Sequence, residues 1–230
     1  MNPPPVGLRQ RALAEALGSA FLVTAVIGSG VMASQLTDDA ALRLLANSVV
    51  TGAALTALIL ALRPVSASFN PVVTGVEAAL GRVRPREAGV LVVAQVLGAS
   101  VGAVVANLMF DLPAVSVASH HRVTSGAVLA EVVATLGLVV VVLGSQRFAE
   151  HLDMAIAVGG YITAAYWFTA STSFANPAVT VARTLSDTFA GIAPASVPAF
   201  VLAQLAGATL GLLVVRLLAT PSPVPQEEPA

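Results

Sequence analysis

Six long apolar stretches alternate with short polar connections along this chain. The length of each stretch is close to the roughly 20 mostly apolar residues that a membrane-spanning helix requires. Gly, Ala, Ser and Thr recur within the stretches, and small residues let helices pack closely in lipid. The pattern predicts an all-α membrane protein whose spanning helices lie at about 12–33, 42–62, 88–109, 126–146, 153–170 and 196–219.

Two further apolar stretches, 70–80 and 176–187, are too short to cross a bilayer. Each begins with an Asn-Pro dipeptide. Asn is a favoured N-cap, and Pro at the first helical position loses no intrahelical hydrogen bond. At about 1.5 Å per residue, neither stretch can traverse a hydrocarbon core of about 30 Å. We therefore expect two half-helices with sharply defined N-terminal ends.

The two halves of the chain carry the same signals in the same order. Each half opens its first span with Ala-Glu, at Glu15 and Glu131, and continues to an Asn-Pro half-helix. Each half then ends with a span containing Gln-x-x-Gly-x-x-x-Gly, which begins at Gln95 and Gln204. Because each half holds three spans, an odd number, the second half must lie inverted in the membrane.

This repetition predicts the domain organisation. We expect a single domain, 1–230, built from inverted repeats at about 8–110 and 124–219. In inverted repeats the functional site lies near the bilayer midplane, at the interface of the two copies. The tail 220–230 is rich in Pro and acidic residues, and this composition predicts disorder.

Composition narrows the classes of function. The 230 residues are 57% hydrophobic and 10% charged, whereas about a quarter of an ordinary soluble domain is charged. The absence of Cys excludes disulfides and thiolate sites, and the net charge of −1 argues against a broad basic face for nucleic acid. The sequence holds no recognisable catalytic or metal-binding grouping, so we expect no enzyme activity, cofactor or metal. The N-terminus does not read as a cleavable signal.

The arginines predict the orientation, since the chain has no lysine. Positive residues favour the cytoplasmic side of a membrane. With both termini cytoplasmic in a multi-pass protein of the plasma (inner) membrane, only Arg43 and Arg122 lie outside, with Arg183 as a further candidate. The arginines then expected inside are Arg9, Arg11, Arg63, Arg82, Arg84, Arg86, Arg147 and Arg216.

The half-helices favour a neutral cargo. Non-helical backbone at membrane depth is tolerated only where it is buried in protein or lines a wet cavity. The segments 64–69 and 169–175 are short and rich in Ser or Thr, which suits a cavity wall. Two helix N-termini that meet at the midplane each carry about half a positive charge, which opposes cations and protons. The expected cargo is a small uncharged solute that accepts hydrogen bonds from the two Asn amides.

From Glu15 to Gly211 the chain resembles the aquaporin and aquaglyceroporin family, the major intrinsic proteins. The resemblance implies a right-handed bundle of six transmembrane helices plus two half-helices, usually a homotetramer with one pore per subunit. Paired Asn-Pro-Ala-type motifs, with Glu opening the first and fourth spans, are specific to the family when they occur together. By this resemblance the pore motifs are Asn70, Pro71, Val72, Asn176, Pro177 and Ala178.

The resemblance also implies a selectivity filter. Many members carry Arg directly after the second motif, where this chain has Val179. The other filter positions fall at Ser173, near Ala164, and at Val50 or Thr51, between which the sequence does not decide. A filter of these residues is wide, weakly polar and uncharged, unlike that of a strict water pore, which keeps Arg and His.

A wide filter without Arg implies passage of water, glycerol and bulkier neutral molecules. These include undissociated metalloids such as arsenite or methylated arsenicals. The segment 163–183 resembles a bacterial branch of the family that is often linked to arsenic handling.

Several ionisable or aromatic residues have two possible roles. Intramembrane acids such as Glu15 and Glu131 can relay protons, but the resemblance favours structural acids that accept backbone N–H groups from the half-helix loops. Glu77 and Arg183, each seven residues beyond its Asn, are expected to tie their half-helices to neighbouring elements. Arg183 is alternatively a residue of the outer mouth, and Tyr166 is a second candidate for narrowing the filter.

Two other functions remain open at this point. A secondary transporter of a small neutral solute also uses inverted repeats and broken helices, but it usually needs a charged coupling site at the midplane. An ion channel is disfavoured because positive helix ends oppose cations and no basic ring for anions is visible.

Overall fold

The computed structural model describes residues 6–148 and 151–218, and these residues form helices joined by loops, with no strand among them. The predicted disordered tail, 220–230, lies outside the described residues. The helices are α1 (Leu8–Leu36), α2 (Ala40–Leu62), α3 (Pro71–Ala79), α4 (Pro85–Met109), α5 (Ser125–Phe148), α6 (His151–Phe168), α7 (Pro177–Ala182) and α8 (Val197–Leu218), with single 3₁₀ turns at Arg183–Leu185 and Pro194–Ser196.

Lengths separate the spanning helices from the half-helices. Five helices of the described chain are long and apolar enough to cross a membrane. The sixth, α6, has 18 residues and therefore a length of about 27 Å, close to the thickness of a hydrocarbon core. The half-helices α3 and α7 have only 9 and 6 residues. Large apolar side chains such as Leu13, Phe21, Leu97 and Leu202 are exposed on the outer surface, as expected for a protein surrounded by lipid.

The two halves pack in equivalent ways. The most extensive helix pairs are α1 with α4 in the first half and α5 with α8 in the second, and both half-helices contact α4 and α8. Gly98 and Gly102 let α4 approach the backbone of α1, because a Cβ at Gly98 would lie 2.1 Å from the carbonyl oxygen of Ala16. A Cβ at Gly207 of α8 would likewise lie 2.4 Å from the carbonyl oxygen of Val132. The close approach of helices through small residues is confirmed.

Gly98→Val tests whether this close approach holds the frame together. Overpacking of a tight contact costs about 1–3 kcal/mol, so the thermal unfolding temperature of the purified protein in detergent should fall clearly below that of the wild type. Gly89→Val is the matched control, because it makes the same exchange in the same helix where a Cβ meets nothing within 4 Å. Equal unfolding temperatures for the two variants would contradict the packing role of Gly98.

Candidate functional site

The two half-helices begin at asparagine caps. The Oδ1 atom of Asn70 accepts the N–H of Val72 at 3.1 Å, and Pro71 follows the cap. The Oδ1 atom of Asn176 accepts the N–H groups of Ala178 and Val179 at 3.0 and 3.2 Å. The caps satisfy backbone donors that a helix start leaves without an intrahelical partner.

Each asparagine also binds the loop of the other half. Asn70 Nδ2 donates to the carbonyl oxygen of Ala175 at 2.8 Å, and Asn176 Nδ2 donates to that of Phe69 at 2.7 Å. These reciprocal hydrogen bonds bring the N-terminal ends of α3 and α7 together. An amide nitrogen carries two N–H donors. One donor of each Asn therefore binds the opposite half, and the second has no acceptor among the described residues.

The residues that precede the asparagines have unusual backbone conformations. Phe69 and Ala175 have φ angles of 47° and 45°, in the left-handed region that non-glycine residues enter at a cost of about 1–3 kcal/mol. This conformation occurs at equivalent positions in both halves, and the carbonyl groups of these two residues accept the reciprocal Asn bonds. The strained peptides are therefore part of the junction between the half-helices.

A buried carboxylate holds the first loop. Glu15 in α1 is fully buried. Its Oε1 atom accepts hydrogen bonds from the hydroxyl of Ser66 at 2.5 Å and from the N–H of Ser68 at 2.9 Å. Its Oε2 atom accepts the N–H of Phe69 at 2.6 Å and Gln95 Nε2 at 2.7 Å. All of these partners donate, so the carboxylate acts only as an acceptor, as an ionised carboxylate does.

A second carboxylate holds the other loop in the same way. Glu131 in α5 is fully buried and accepts the N–H groups of Phe174 and Ala175, each at 2.9 Å. It also accepts Gln204 Nε2 at 2.6 Å. In both halves the acid therefore binds the backbone N–H of the left-handed residue, which stabilises the conformation that directs its carbonyl group to the opposite Asn.

A cavity of about 330 Å³ lies at the junction between the two half-helices. Asn70 and Asn176 both line it, together with residues 66–69 and 173–175 of the loops before them. Apolar side chains form most of the remaining wall, and charged residues also line it. The apolar group is Leu22, Val26, Leu55, Ile59, Val65, Val73, Val83, Leu138, Val142, Met154, Val158, Ile162 and Val179, and the charged group is Arg11, Arg63, Glu77, Arg82 and Arg183.

Three of the predicted filter residues lie on the cavity wall. Thr51, Ser173 and Val179 line the cavity. The Oγ1 atom of Thr51 lies 3.2 Å from the hydroxyl oxygen of Tyr166, which also lines the cavity. Val50 is 41% exposed on the outer surface. Of the two alternatives for the second span, Thr51 is therefore the one that faces the cavity.

The predicted position of Ala164 is wrong. Ala164 is exposed on the outer surface of α6 and does not line the cavity. The residues of α6 that do so include Val158, Ile162 and Tyr166, which are spaced by four and share one helix face. Tyr166, which the sequence left as an alternative, occupies the wall of the cavity in this span.

Glu77 and Arg183 each bind within their own half of the molecule. Glu77 accepts the hydroxyl of Ser68 at 3.2 Å, and Arg183 donates its Nε–H to the carbonyl oxygen of Ala190. These bonds tie α3 to the loop that precedes it and the end of α7 to the loop that follows it. Both residues also line the cavity, at the ends of α3 and α7 that are remote from the asparagines.

Polar groups surround the loop that follows α7. The backbone N–H and the hydroxyl of Ser119 donate to Asp187 and lower the pKa of its carboxyl group. Burial, and after it the positive charge of Arg122, lowers the pKa of His120. The imidazole of His120 therefore holds a proton less readily than a free imidazole does.

A family model described as "Major intrinsic protein" matches residues 5–151 and 120–228. The chain belongs to the major intrinsic protein family. Members of this family are membrane channels and not enzymes, in agreement with the sequence analysis.

Two relatives are similar to this chain in sequence. The chain is 49% identical over 216 residues to "Aquaglyceroporin AqpS" of Rhizobium meliloti, covering 94% of this chain and 92% of the relative. It is 32% identical over 118 residues to "Aquaporin NIP1-2" of Arabidopsis thaliana, covering 51% of this chain and 40% of that one.

The structural matches show the fold. The X-ray structure of the aquaglyceroporin from Plasmodium falciparum matches with a TM-score of 0.75 and 19% identity, covering 90% of this chain and 95% of that chain. An ion channel of the FNT family matches with a TM-score of 0.59 and 15% identity, covering 92% and 90%. The predicted all-α channel fold of the major intrinsic proteins is confirmed.

Sequence reasoning missed several residues that support the pore of this major intrinsic protein. Gln95 Nε2 donates to Thr74 Oγ1 at 2.8 Å as well as to Glu15, and Gln204 Nε2 donates to Thr180 Oγ1 at 2.9 Å as well as to Glu131. The repeated Asn-Pro-x-Val-Thr contained the signal, because Thr recurs four residues after each Asn.

Glu15→Gln tests the carboxylate that holds the first loop. The glutamine side chain replaces one acceptor oxygen of Glu15 by an NH₂ group, which faces donors that the carboxylate now accepts. Each buried donor left without an acceptor costs about 1–3 kcal/mol. The thermal unfolding temperature of the purified channel should fall by several degrees. Glu87→Gln is the control, since Glu87 is a partly exposed partner of Arg11 at 3.2 Å and such pairs contribute about 1 kcal/mol or less. A Glu15→Gln protein as stable as Glu87→Gln would refute the anchoring role.

Proposed function

We propose that this protein is a passive channel for small uncharged solutes, with water, glycerol and undissociated metalloids such as arsenite or methylated arsenicals as its cargo. The observation that carries this proposal is the position of Asn70 and Asn176, which line one cavity where two helix N-termini meet. The positive helix ends oppose cations, and the remaining amide N–H groups can donate to a neutral oxygen.

The wall chemistry of the cavity, which has a volume of about 330 Å³, supports solutes larger than water. Most of its wall is apolar, which suits the carbon skeleton of a polyol. The relative with 49% identity is named an aquaglyceroporin, which favours glycerol as a cargo. The resemblance of segment 163–183 to a branch linked to arsenic handling favours metalloids as cargo. Val179, at a position where many family members have Arg, favours them as well.

The pore residues of the proposed channel follow from the same geometry. We assign solute contact at the junction to Asn70 and Asn176, and the outer filter to Thr51, Ser173, Val179 and Tyr166, all of which line the cavity. Glu15 and Glu131 act as structural acids, because their oxygens accept hydrogen bonds from the loops and from Gln95 and Gln204 rather than from the cavity.

We also propose the assembly and orientation. The chain forms one domain with inverted repeats at about 8–110 and 124–219, and four copies assemble with one pore each. It lies in the plasma (inner) membrane with both termini cytoplasmic. The distribution of arginines supports this orientation, and the equivalent hydrogen bonds of Glu15 and Glu131 support the repeat.

Uptake by proteoliposomes tests the channel. Water, glycerol, urea, arsenite and methylated arsenicals should each enter protein-containing vesicles faster than empty vesicles, with weak temperature dependence and with saturation only at high solute concentration. A steep temperature dependence with saturation at low solute concentration would favour a secondary transporter instead. A clear single-channel current in a planar bilayer would favour an ion channel.

Val179→Arg tests the filter. A guanidinium at this cavity-lining position adds bulk and charge, so glycerol and arsenite uptake should fall about tenfold or more while water flux falls less. Val179→Met adds length without charge and should leave the ratio of glycerol to water flux nearer to that of the wild type. The filter assignment is wrong if glycerol and arsenite uptake is unchanged in Val179→Arg.

A further inference from the structure

Arg183 places a guanidinium on the wall of the cavity. It follows α7 directly in the 3₁₀ turn Arg183–Leu185, and it is only 2% exposed. It lines the same cavity as Ser173 and Tyr166. A side chain that is always protonated and largely removed from bulk water dominates the local electrostatics.

The guanidinium is held in place from two sides. Its Nε–H donates to the carbonyl oxygen of Ala190, and its Cζ atom lies 3.5 Å from the centroid of the Phe174 ring. Phe174 packs edge to face on Phe200 with the ring centroids 5.2 Å apart, and its N–H binds Glu131. A cation over an aromatic face is attracted by the negative charge density of the ring. These contacts fix Arg183 relative to the loop before Asn176.

The remaining donors of Arg183 are available to the cavity. Among the described residues, only its Nε–H has a hydrogen-bond acceptor. Arg122 lies near the same ring, at 5.4 Å from the centroid, but it donates to the carbonyl oxygens of Gly191 and Phe189 at 2.7 and 2.9 Å and does not line the cavity. The two arginines therefore share one aromatic ring and one loop, and only Arg183 faces the solute path.

An unsatisfied hydroxyl lies on the same wall. Ser173 Oγ is buried and has no hydrogen-bond partner among the residues that the structure describes. A buried hydroxyl without a partner costs free energy unless a solute or water supplies one. Arg183 and Ser173 thus both line the cavity. Arg183 carries N–H donors, and Ser173 carries a hydroxyl without a partner that can donate or accept.

We propose that Arg183 and Ser173 form an outer binding subsite for the oxygen atoms of an uncharged hydroxylated solute, and that Arg183 supplies the positive charge that excludes cations at this end of the cavity. This inference rests on the proposed channel function. The guanidinium has donors and no acceptor, so it binds a neutral hydroxyl oxygen and repels an ammonium, a metal cation or a hydronium ion. It provides, from the 3₁₀ turn that follows α7, the charge that Val179 lacks.

Cation leak of proteoliposomes tests the charge of Arg183. Arg183→Met should raise the proton and sodium leak by about tenfold or more, measured with a pH-sensitive dye and a sodium-sensitive dye inside the vesicles. Arg183→Lys keeps the charge and should keep the exclusion. Arg122→Met is the matched control, because it removes an arginine from the same ring and loop but not from the cavity wall, and its leak should equal that of the wild type. Equal leaks from Arg183→Met and Arg122→Met would overturn the charge role.

Glycerol half-saturation tests the subsite and also decides the case in which Arg183→Met fails to fold. Ser173→Ala should leave the unfolding temperature unchanged and raise the half-saturation concentration of glycerol flux by about 3- to 10-fold, the worth of one net hydrogen bond. Arg183→Lys loses the planar set of donors and should raise the half-saturation concentration by a similar factor. If both variants fold and keep the wild-type value, the subsite is wrong. If the wild-type protein passes no glycerol, the proposed channel function has failed instead.

Discussion

The structure depends on two reciprocal hydrogen bonds between asparagine side chains and the backbone of the opposite half. Asn70 binds the carbonyl oxygen of Ala175, and Asn176 binds that of Phe69, while each Asn also caps its own half-helix. One amide therefore performs two structural tasks, and neither half-helix can move without breaking a bond in the other half. A polar junction of this kind is possible at membrane depth because its backbone groups are satisfied within the protein.

Two buried carboxyl groups bind this junction from within the protein. Glu15 and Glu131 receive hydrogen bonds from backbone N–H groups and from a Gln side chain. These bonds compensate for the loss of water around each carboxylate. Each acid also binds the residue whose left-handed conformation turns a carbonyl group towards the opposite Asn. The free energy of these hydrogen bonds thus offsets the backbone strain at Phe69 and Ala175.

Local signals in the sequence predicted the half-helices better than the filter. The start of α3 and α7 follows from an N-cap followed by Pro, which depends on neighbouring residues alone. The filter depends on the rotation of whole helices. The prediction of Ala164 was wrong because counting along a family pattern does not determine which face of α6 turns inward. The inward face carries Tyr166, which lies four residues after Ile162.

Other features required the three-dimensional structure. The left-handed conformation of Phe69 and Ala175 has no glycine to indicate it. The stacking of Arg183 on Phe174 joins residues on either side of the Asn176 cap, and no periodicity along a helix links them. The hydrogen bonds of Gln95 to Thr74 and of Gln204 to Thr180 were present in the repeat as spacing, but spacing alone does not show which polar atoms meet.

The reciprocal asparagine bonds have a consequence for the direction of solute flow. One amide N–H of each Asn and the carbonyl groups of Phe69 and Ala175 already have partners within the protein, and equivalent residues of the two halves make the same bonds. Alternating access requires one arrangement of bonds to be exchanged for another. A junction cross-bonded in this way resists such an exchange, which agrees with a channel in which the solute gradient alone determines the direction of net flow.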